Sequence, residues 1–113
     1  MHKYINLDYL NEVSGGDENV KKQIIEMFLT QMSEVSETLK TALKNSDYKT
    51  LSETAHLAKS SLRIMGIEDI ALKMETLQQT AAQNEKRENY PALINYFLER
   101  IPLAEKELQE EIS

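Results

Sequence analysis

The sequence predicts an all-α protein, namely an antiparallel up-and-down four-helix bundle with a short N-terminal helix. Two features of the 113 residues carry this prediction. The chain has only three Gly and two Pro but many Leu, Glu, Lys and Ala, a composition that favours helices. Its apolar residues also recur at intervals of three and four over four long stretches, which are separated by short polar breaks. This spacing is typical of the buried faces of amphipathic helices.

The first two helices are predicted from their start and stop signals. Asn6 can cap a brief helix over Leu7–Val13, which the following Ser-Gly-Gly at residues 14–16 would end. Asp17 is the cap candidate for a long helix that ends before the break at Asn45. The apolar residues of that long helix, which we expect to be buried, are Val20, Ile24, Met27, Phe28, Met32, Val35, Leu39 and Leu43.

The remaining helices are delimited in the same way. Asp47 is expected to open a helix over 47–65, and Gly66 to end it as a left-handed residue. Pro91 suits the first turn of the last helix, whereas Pro102 is expected to kink that helix or loosen it. The expected buried positions are 48, 51, 55, 58, 62 and 65 in the first of these helices, 67, 70, 74, 77 and 81 in the next, and 94, 97, 101, 104, 108 and 112 in the last.

Composition limits the kinds of function that the chain can have. With no Cys, it has neither disulfides nor thiolate sites. A chain without disulfides is compatible with the cytoplasm, where we expect it to act, although the lack of Cys does not by itself assign a compartment. A net charge of −6 argues against nucleic acid and anionic membranes as partners. The N-terminus lacks the pattern of a signal peptide, and no apolar run has the length of a membrane span. We therefore expect a single domain over 1–113 that is a monomer.

A second, polar stripe lies beside the apolar stripe of helix 47–65. Its members Ser52, His56, Lys59, Ser60 and Arg63 are spaced so that they share one face of the helix. His56 has small neighbours and a lysine one turn away, an arrangement that suits a histidine carrying a phosphoryl group whose charge Lys59 offsets. On spacing alone, an ordinary half-exposed histidine in a charged face is the simpler interpretation.

Other chemistries fit the sequence poorly. Glu53 and His56 form a Glu-x-x-His unit, but a di-iron bundle needs two such units and the only other histidine is His2. We therefore expect no metal site, and we expect His2 to be a disordered terminal residue. The chain also lacks a Gly-rich phosphate loop, so it cannot be a kinase by itself. The methionines at 27, 32, 65 and 74 are expected to fill the core, and the acidic stretch 105–111 to be a solvated last turn.

The run AHLAKSSLRIMG at residues 55–66 resembles the signature of histidine-containing phosphotransfer domains. It contains His56, a lysine three residues later, a pair of small residues and a glycine ten residues after the histidine. The Gly-Gly-Asp at 15–17 and the Phe-Leu pair at 28–29 are similar to the same family, so the resemblance spans nearly the whole chain. It implies that His56 is the phospho-accepting residue and that Lys59 assists phosphate binding.

The resemblance also concerns three further residues. Ser60 stands where the family usually has a Gly that lets a partner approach closely, and its hydroxyl could bond a phosphate oxygen. Gln78 matches the position at which some members carry a Gln hydrogen-bonded to the phospho-accepting histidine, and an ordinary surface Gln is the alternative. Together with Lys59, Arg63 is expected to complement the acidic pocket of a partner.

By this resemblance, the protein is a phosphorelay intermediate of two-component signalling and not an enzyme. It would accept a phosphoryl group on His56 from a receiver-domain aspartate and pass it to another receiver. The implied partners are receiver domains and a hybrid sensor histidine kinase, and the receiver, not this chain, would supply Mg²⁺. The initial Met favours a free-standing protein. The alternative is a non-catalytic helical adaptor that binds a signalling partner without phosphotransfer.

Overall fold

Five α-helices and a short 3₁₀ turn form the secondary structure of residues 2–113, the part of the chain that the computed structural model describes. The α-helices are α1 (Asp8–Val13), α2 (Glu18–Lys44), α3 (Tyr48–Ile64), α4 (Glu68–Ala82) and α5 (Tyr90–Ile112), and the 3₁₀ turn is Arg87–Asn89. Strands are absent from residues 2–113. The predicted all-α class is therefore confirmed.

Helices α2 to α5 form the predicted up-and-down bundle. Each of them packs against the next in sequence, and α5 closes the ring by packing against α2. Turns of only a few residues join α2 to α3 and α3 to α4, so consecutive helices must run in opposite directions. The bundle is elongated, with principal extents of 42 × 21 × 20 Å. None of the helices within residues 2–113 combines the length and the apolar character that crossing a bilayer requires.

The predicted helix signals mostly act as expected. The carboxylate of Asp17 accepts hydrogen bonds from the N–H groups of Asn19 and Val20 at the start of α2. At the start of α3, Asp47 accepts from the N–H and the hydroxyl of Thr50, at 3.2 and 2.7 Å. Helix α1 begins one residue later than expected. Its N-cap is Leu7, which has no side-chain cap bond.

Gly66 ends α3 in the left-handed conformation that the sequence predicted, with φ of +67°. The N-terminal segment lies directly against this turn. The N–H of Asn6 donates to the carbonyl oxygen of Met65 at 3.1 Å, and a Cβ atom on Gly66 would overlap the backbone of Asn6. Glycine is thus required here by its conformation and by this close approach.

The buried face of α2 differs from the expected one over its first half. Val20 and Met27 are exposed, at 38% and 71%, while Lys21 and Ile25 are buried. Counting back from the buried Phe28 by three and then by four residues gives 25 and 21, so the true stripe is continuous but includes a lysine. The prediction was therefore right for Phe28 but wrong for Val20 and Met27, and it left out Lys21 and Ile25. Toward the C-terminus, Ala42 is buried and Leu43 is half-buried.

The chain termini are also more ordered than the sequence suggested. Nε2 of His2 lies 2.8 Å from Oε2 of Glu111, so the expected disordered terminal histidine was wrong. Glu107 accepts hydrogen bonds from the N–H groups of Lys3 and Tyr4, each at 2.8 Å. The acidic end of α5 therefore binds the N-terminal segment, whereas a merely solvated last turn was expected.

The buried faces of α4 and α5 agree well with the prediction. Pro91 occupies the first turn of α5, and α5 continues as one helix past Pro102, which lies on its exposed side. Tyr90 is a core residue that the pattern did not indicate. Its hydroxyl donates to the carbonyl oxygens of Thr80 and Glu85, at 2.9 and 2.6 Å, so its polar end is satisfied while the ring is buried.

Candidate functional site

Helix α3 carries the candidate site on the side that faces away from the core. Its buried residues are Leu51, Thr54, Ala55, Ala58 and Leu62. The polar stripe therefore lies on the outer surface and on the flank toward α4. Helix α4 holds the residues on this flank in place, because α3 and α4 are the most closely packed pair of helices.

His56 is exposed to solvent on this surface. Within residues 2–113 its imidazole has no hydrogen-bond partner, so neither ring nitrogen is held by the protein. The side chains next to it are small, since Ala55 and Ala58 are buried and Ser60 lies one turn away. The Ser60 hydroxyl donates back to the main-chain oxygen of His56 at 3.2 Å and does not cover the ring. The imidazole is thus open to a large reactant.

Lys59 lies three residues, or about one turn, after His56 and is half-buried at the α3–α4 edge. Its Nζ donates to Oε1 of Gln78 at 3.0 Å. The Ser52 hydroxyl donates to the main-chain oxygen of the same Gln78 at 2.9 Å, which fixes this part of α4 against α3. The expected hydrogen bond between Gln78 and the imidazole is not formed. Gln78 holds the neighbouring lysine instead.

Arg63 lies on the same face but is already paired. Its guanidinium is 2.9 Å from a carboxylate oxygen of Glu75, and its Nε is 3.9 Å from Glu68. Both carboxylates belong to α4, whose charges the α3 stripe alone does not reveal. Of the two cations expected to face a partner, Lys59 is the one with no carboxylate partner among the described residues.

An open groove lies between α2 and α3, beside the face that carries His56. It has a volume of about 630 Å³, and its lining consists of Ile24, Glu26, Met27, Phe28, Thr30, Gln31, Glu34, Ser61, Ile64 and Met65. Ile64 is two turns from His56, a rise of about 12 Å along the helix. Half of its lining residues are apolar, and two of them, Glu26 and Glu34, carry carboxylates.

Two of the lining side chains are apolar and exposed, Met27 (71% exposed) and Ile64 (37%), and Leu57 (49%), which follows His56 in sequence, is exposed as well. The sequence predicted exposed apolar and small residues from these two helices but assigned Met27, with the other methionines, to the core. Met32, Met65 and Met74 are indeed buried, but Met27 is not. A signal was present, since Leu57 and Ile64 are seven residues apart and therefore share a face of α3 that the apolar stripe leaves out.

The arrangement combines an accessible imidazole, a nearby ammonium and exposed apolar side chains. An imidazole nitrogen can attack an electrophilic centre, and a lysine one turn away can stabilise negative charge on the transferred group. No group of three or more His, Asp or Glu side chains within residues 2–113 could hold a metal ion.

Comparison with known proteins points in the same direction. A family model described as Hpt domain matches residues 23–113. The structure is similar to a crystal structure of histidine-containing phosphotransfer protein B (HptB) from Pseudomonas aeruginosa PAO1, with a TM-score of 0.89 and 20% sequence identity over 99% of this chain and 96% of that one. At this identity the structural likeness shows the shared fold. A search of curated proteins finds no significant match.

Proposed function

The chain belongs to the Hpt domain family, and from this membership we propose that it is a phosphorelay intermediate in which His56 carries the phosphoryl group. Hpt domains are phosphotransfer intermediates of two-component signalling. The donor in this proposal is a phospho-aspartate on one receiver domain, and the acceptor is an aspartate on another. A hybrid sensor histidine kinase would phosphorylate the first receiver, and the relay would operate in the cytoplasm.

The proposed step moves the phosphoryl group from oxygen to nitrogen. The lone pair of one His56 ring nitrogen forms the N–P bond while the O–P bond of the acyl phosphate breaks, and the aspartate leaves as a carboxylate. The proton on the other ring nitrogen is then lost to water. Transfer to the second receiver is the reverse step with a different aspartate. Such transition states are loose, so the protein contributes mainly by positioning groups and stabilising charge.

The single observation that carries this proposal is the state of His56. Its ring is exposed, has small neighbours and is not hydrogen-bonded by any other described residue, as a group that must react with a second protein requires. Lys59 supplies a positive charge on the same face. Mg²⁺ would come with the receiver, because the described residues of this chain offer no cluster of ligands for it.

Docking in this proposal uses the surface around His56 that α2 and α3 share. Met27, Leu57 and Ile64 offer apolar contact area, and the groove beside them can accept a side chain of the receiver. The Ser60 hydroxyl, now bonded to the main chain of His56, would be free to turn toward a phosphoryl oxygen. A non-catalytic adaptor would use the same surface without His56, so labelling must distinguish the two functions.

The test is intact-mass analysis after the protein is mixed with a phosphorylated receiver domain and Mg²⁺. We expect a gain of one phosphoryl group that is labile to acid and absent from His56→Gln. Because the His56 side chain is exposed, the variant should keep the helicity and the melting temperature of the wild type. If the folded wild type binds receivers but is never labelled, the protein is instead the non-catalytic adaptor.

A further inference from the structure

The two cations near His56 are held by partners of different charge. Nζ of Lys59 donates to the amide oxygen of Gln78 at 3.0 Å. Arg63, one turn further along α3, is held by the carboxylate of Glu75 at 2.9 Å. A carboxylate cancels most of the charge of its cation, whereas an amide oxygen fixes the position of a cation without cancelling its charge.

We propose that Gln78 is a positioning residue that acts through Lys59: it fixes the ammonium at the α3–α4 edge and leaves its charge available to the phosphoryl group. This inference rests on the proposed function and adds to it. Glu75 has the complementary effect, because it neutralises Arg63. On the face of α3 that carries His56, Lys59 is then the cation whose charge acts on the phosphoryl group.

The surroundings of Gln78 suit such a role. Gln78 and Lys59 are both half-buried, so water competes less for their hydrogen bond than it would at the exposed surface. The Ser52 hydroxyl bonds the main-chain oxygen of Gln78 at 2.9 Å, which sets the distance between the two helices independently of the Gln78 side chain. Substituting that side chain should therefore change how Lys59 is held without separating α3 from α4.

Holding Lys59 in advance is useful for the transfer step. A lysine side chain has many rotamers, and fixing it before the reaction removes freedom that it would otherwise lose in the transition state. An ammonium has three N–H donors, and the bond to Gln78 occupies one of them. Two remain to bind phosphoryl oxygens.

The decisive variant is Gln78→Glu, which keeps the shape of the side chain but makes its oxygen a carboxylate that neutralises Lys59. The matched control is Gln79→Glu, since Gln79 is the next residue of α4, is exposed, and receives the same added charge away from Lys59. Gln78→Ala removes the tether without adding charge. All three variants are combined with Lys59→Ala, and their melting curves are compared by circular dichroism.

The probe is phosphoramidate, a small donor that makes the assay independent of receiver docking. Its P–N bond breaks as the new N–P bond to His56 forms, ammonia leaves with the bonding pair, and the other ring nitrogen loses its proton to water. The rate is followed by intact mass. The same variants are then assayed with a phosphorylated receiver.

We expect Gln78→Glu to slow phosphorylation by phosphoramidate about tenfold, the size of effect that follows from losing one charge-assisted hydrogen bond in the transition state. Gln79→Glu should change the rate by no more than about twofold, and Gln78→Ala should fall between the two. In the Lys59→Ala background, Gln78→Glu and Gln79→Glu should become indistinguishable. This last result is what an effect exerted through Lys59 requires.

Two outcomes would overturn the inference. Equal effects of Gln78→Glu and Gln79→Glu would show that only the local charge matters, and a full effect of Gln78→Glu in the Lys59→Ala background would show that Gln78 acts on His56 directly. Failure of the proposed function would give a different set of results. The wild type would then react with phosphoramidate, with the expected order of variants, but would never be labelled by a receiver. A wild type that neither phosphoramidate nor a phosphorylated receiver labels at His56 would contradict both.

Discussion

Nζ of Lys21 lies 2.8 Å from Oε1 of Glu111, and this ion pair joins the first turn of α2 to the last turn of α5 across 90 positions of the sequence. The lysine side chain is only 9% exposed, whereas that of the glutamate is 27% exposed. The second oxygen of Glu111 is paired with His2, so one carboxylate joins α2, α5 and the N-terminal segment. The bundle is therefore closed at this end by charge as well as by apolar packing.

Removal of this carboxylate should destabilise the protein. Glu111→Gln leaves the buried ammonium of Lys21 with a weaker, neutral acceptor, and we expect a loss of about 2 kcal/mol in the free energy of unfolding. For a domain of this size, such a loss lowers Tm by about 8 °C. Thermal and urea unfolding of Glu111→Gln would measure it. Glu110→Gln is the matched control because Glu110 is exposed, and a shift of the same size in that variant would mean that only the net charge matters.

The same carboxylates should make stability depend on pH. The hydrogen bond from Lys21 is the largest of the interactions that lower the pKa of Glu111 below its ordinary value of 4.5. Burial alone would raise the pKa of Glu107, but main-chain N–H donors of the N-terminal segment outweigh it, so that this pKa is lowered as well. Groups with a lowered pKa in the folded state stabilise it fully above the unfolded value and lose this contribution as the pH falls through the folded value.

The expected profile follows from that sign. The difference in unfolding free energy between the wild type and Glu111→Gln should have its full size at about pH 5.5 and should shrink as the pH falls below that. Burial raises the pKa of Glu105, which acts against this trend in the stability of each protein but cancels in the difference between them. Urea unfolding of the wild type, Glu111→Gln and Glu107→Gln from pH 3 to pH 7 provides the measurement. A difference that does not change with pH would show that the ionised carboxylate is not what stabilises this end of the bundle.

Local sequence signals were sufficient to predict most of the fold. Asp17, Asp47, Gly66 and Pro91 act through neighbouring backbone atoms, so their effects can be predicted without knowledge of the tertiary structure. Lys21 could not be placed in this way. It is buried only because a carboxylate at the other end of the chain pairs with it, and that pairing depends on how the helices close the ring.

The site shows the same division between local and long-range information. The shared face of His56, Lys59 and Ser60 follows from the spacing of residues within one helix. The partners of the two cations lie on α4, and the register between α3 and α4 decides that Lys59 meets Gln78 and Arg63 meets Glu75. The spacing of residues within α3 does not determine the register between α3 and α4.

The turn after α3 should tolerate no side chain. In Gly66→Ala, the added Cβ would meet the main chain of Asn6 at a residue whose φ is +67°, so strain and steric overlap would act together. We expect a loss of at least about 2 kcal/mol in the free energy of unfolding. Gly16→Ala is the matched control, because Gly16 also has a positive φ, +80°, but a Cβ added there would have no neighbouring atom within 4 Å. It should lose only the cost of the backbone conformation, about 1 kcal/mol. Equal losses in urea unfolding would show that the N-terminal segment moves aside freely.

The exposed apolar residues of α2 and α3 should matter for the receiver and not for the chemistry at His56. Met27→Glu places a charge at the most exposed apolar side chain of the docking surface, 71% exposed, so we expect slower labelling by a phosphorylated receiver. A loss of about tenfold corresponds to about 1.4 kcal/mol of binding free energy. Labelling by phosphoramidate should be unchanged, because that donor needs no docking surface.

Leu103→Glu is the control for this variant. Leu103 is also apolar and exposed, at 41%, but belongs to α5, which lies across the bundle from α3 because its neighbours in the ring are α4 and α2. The two variants add the same charge to an already acidic protein, so general repulsion of a receiver would affect them equally. A receiver that discriminates between them therefore recognises the face shared by α2 and α3. If both variants transfer at the rate of the wild type, Met27 lies outside the docking surface and the receiver approaches His56 from the α4 side.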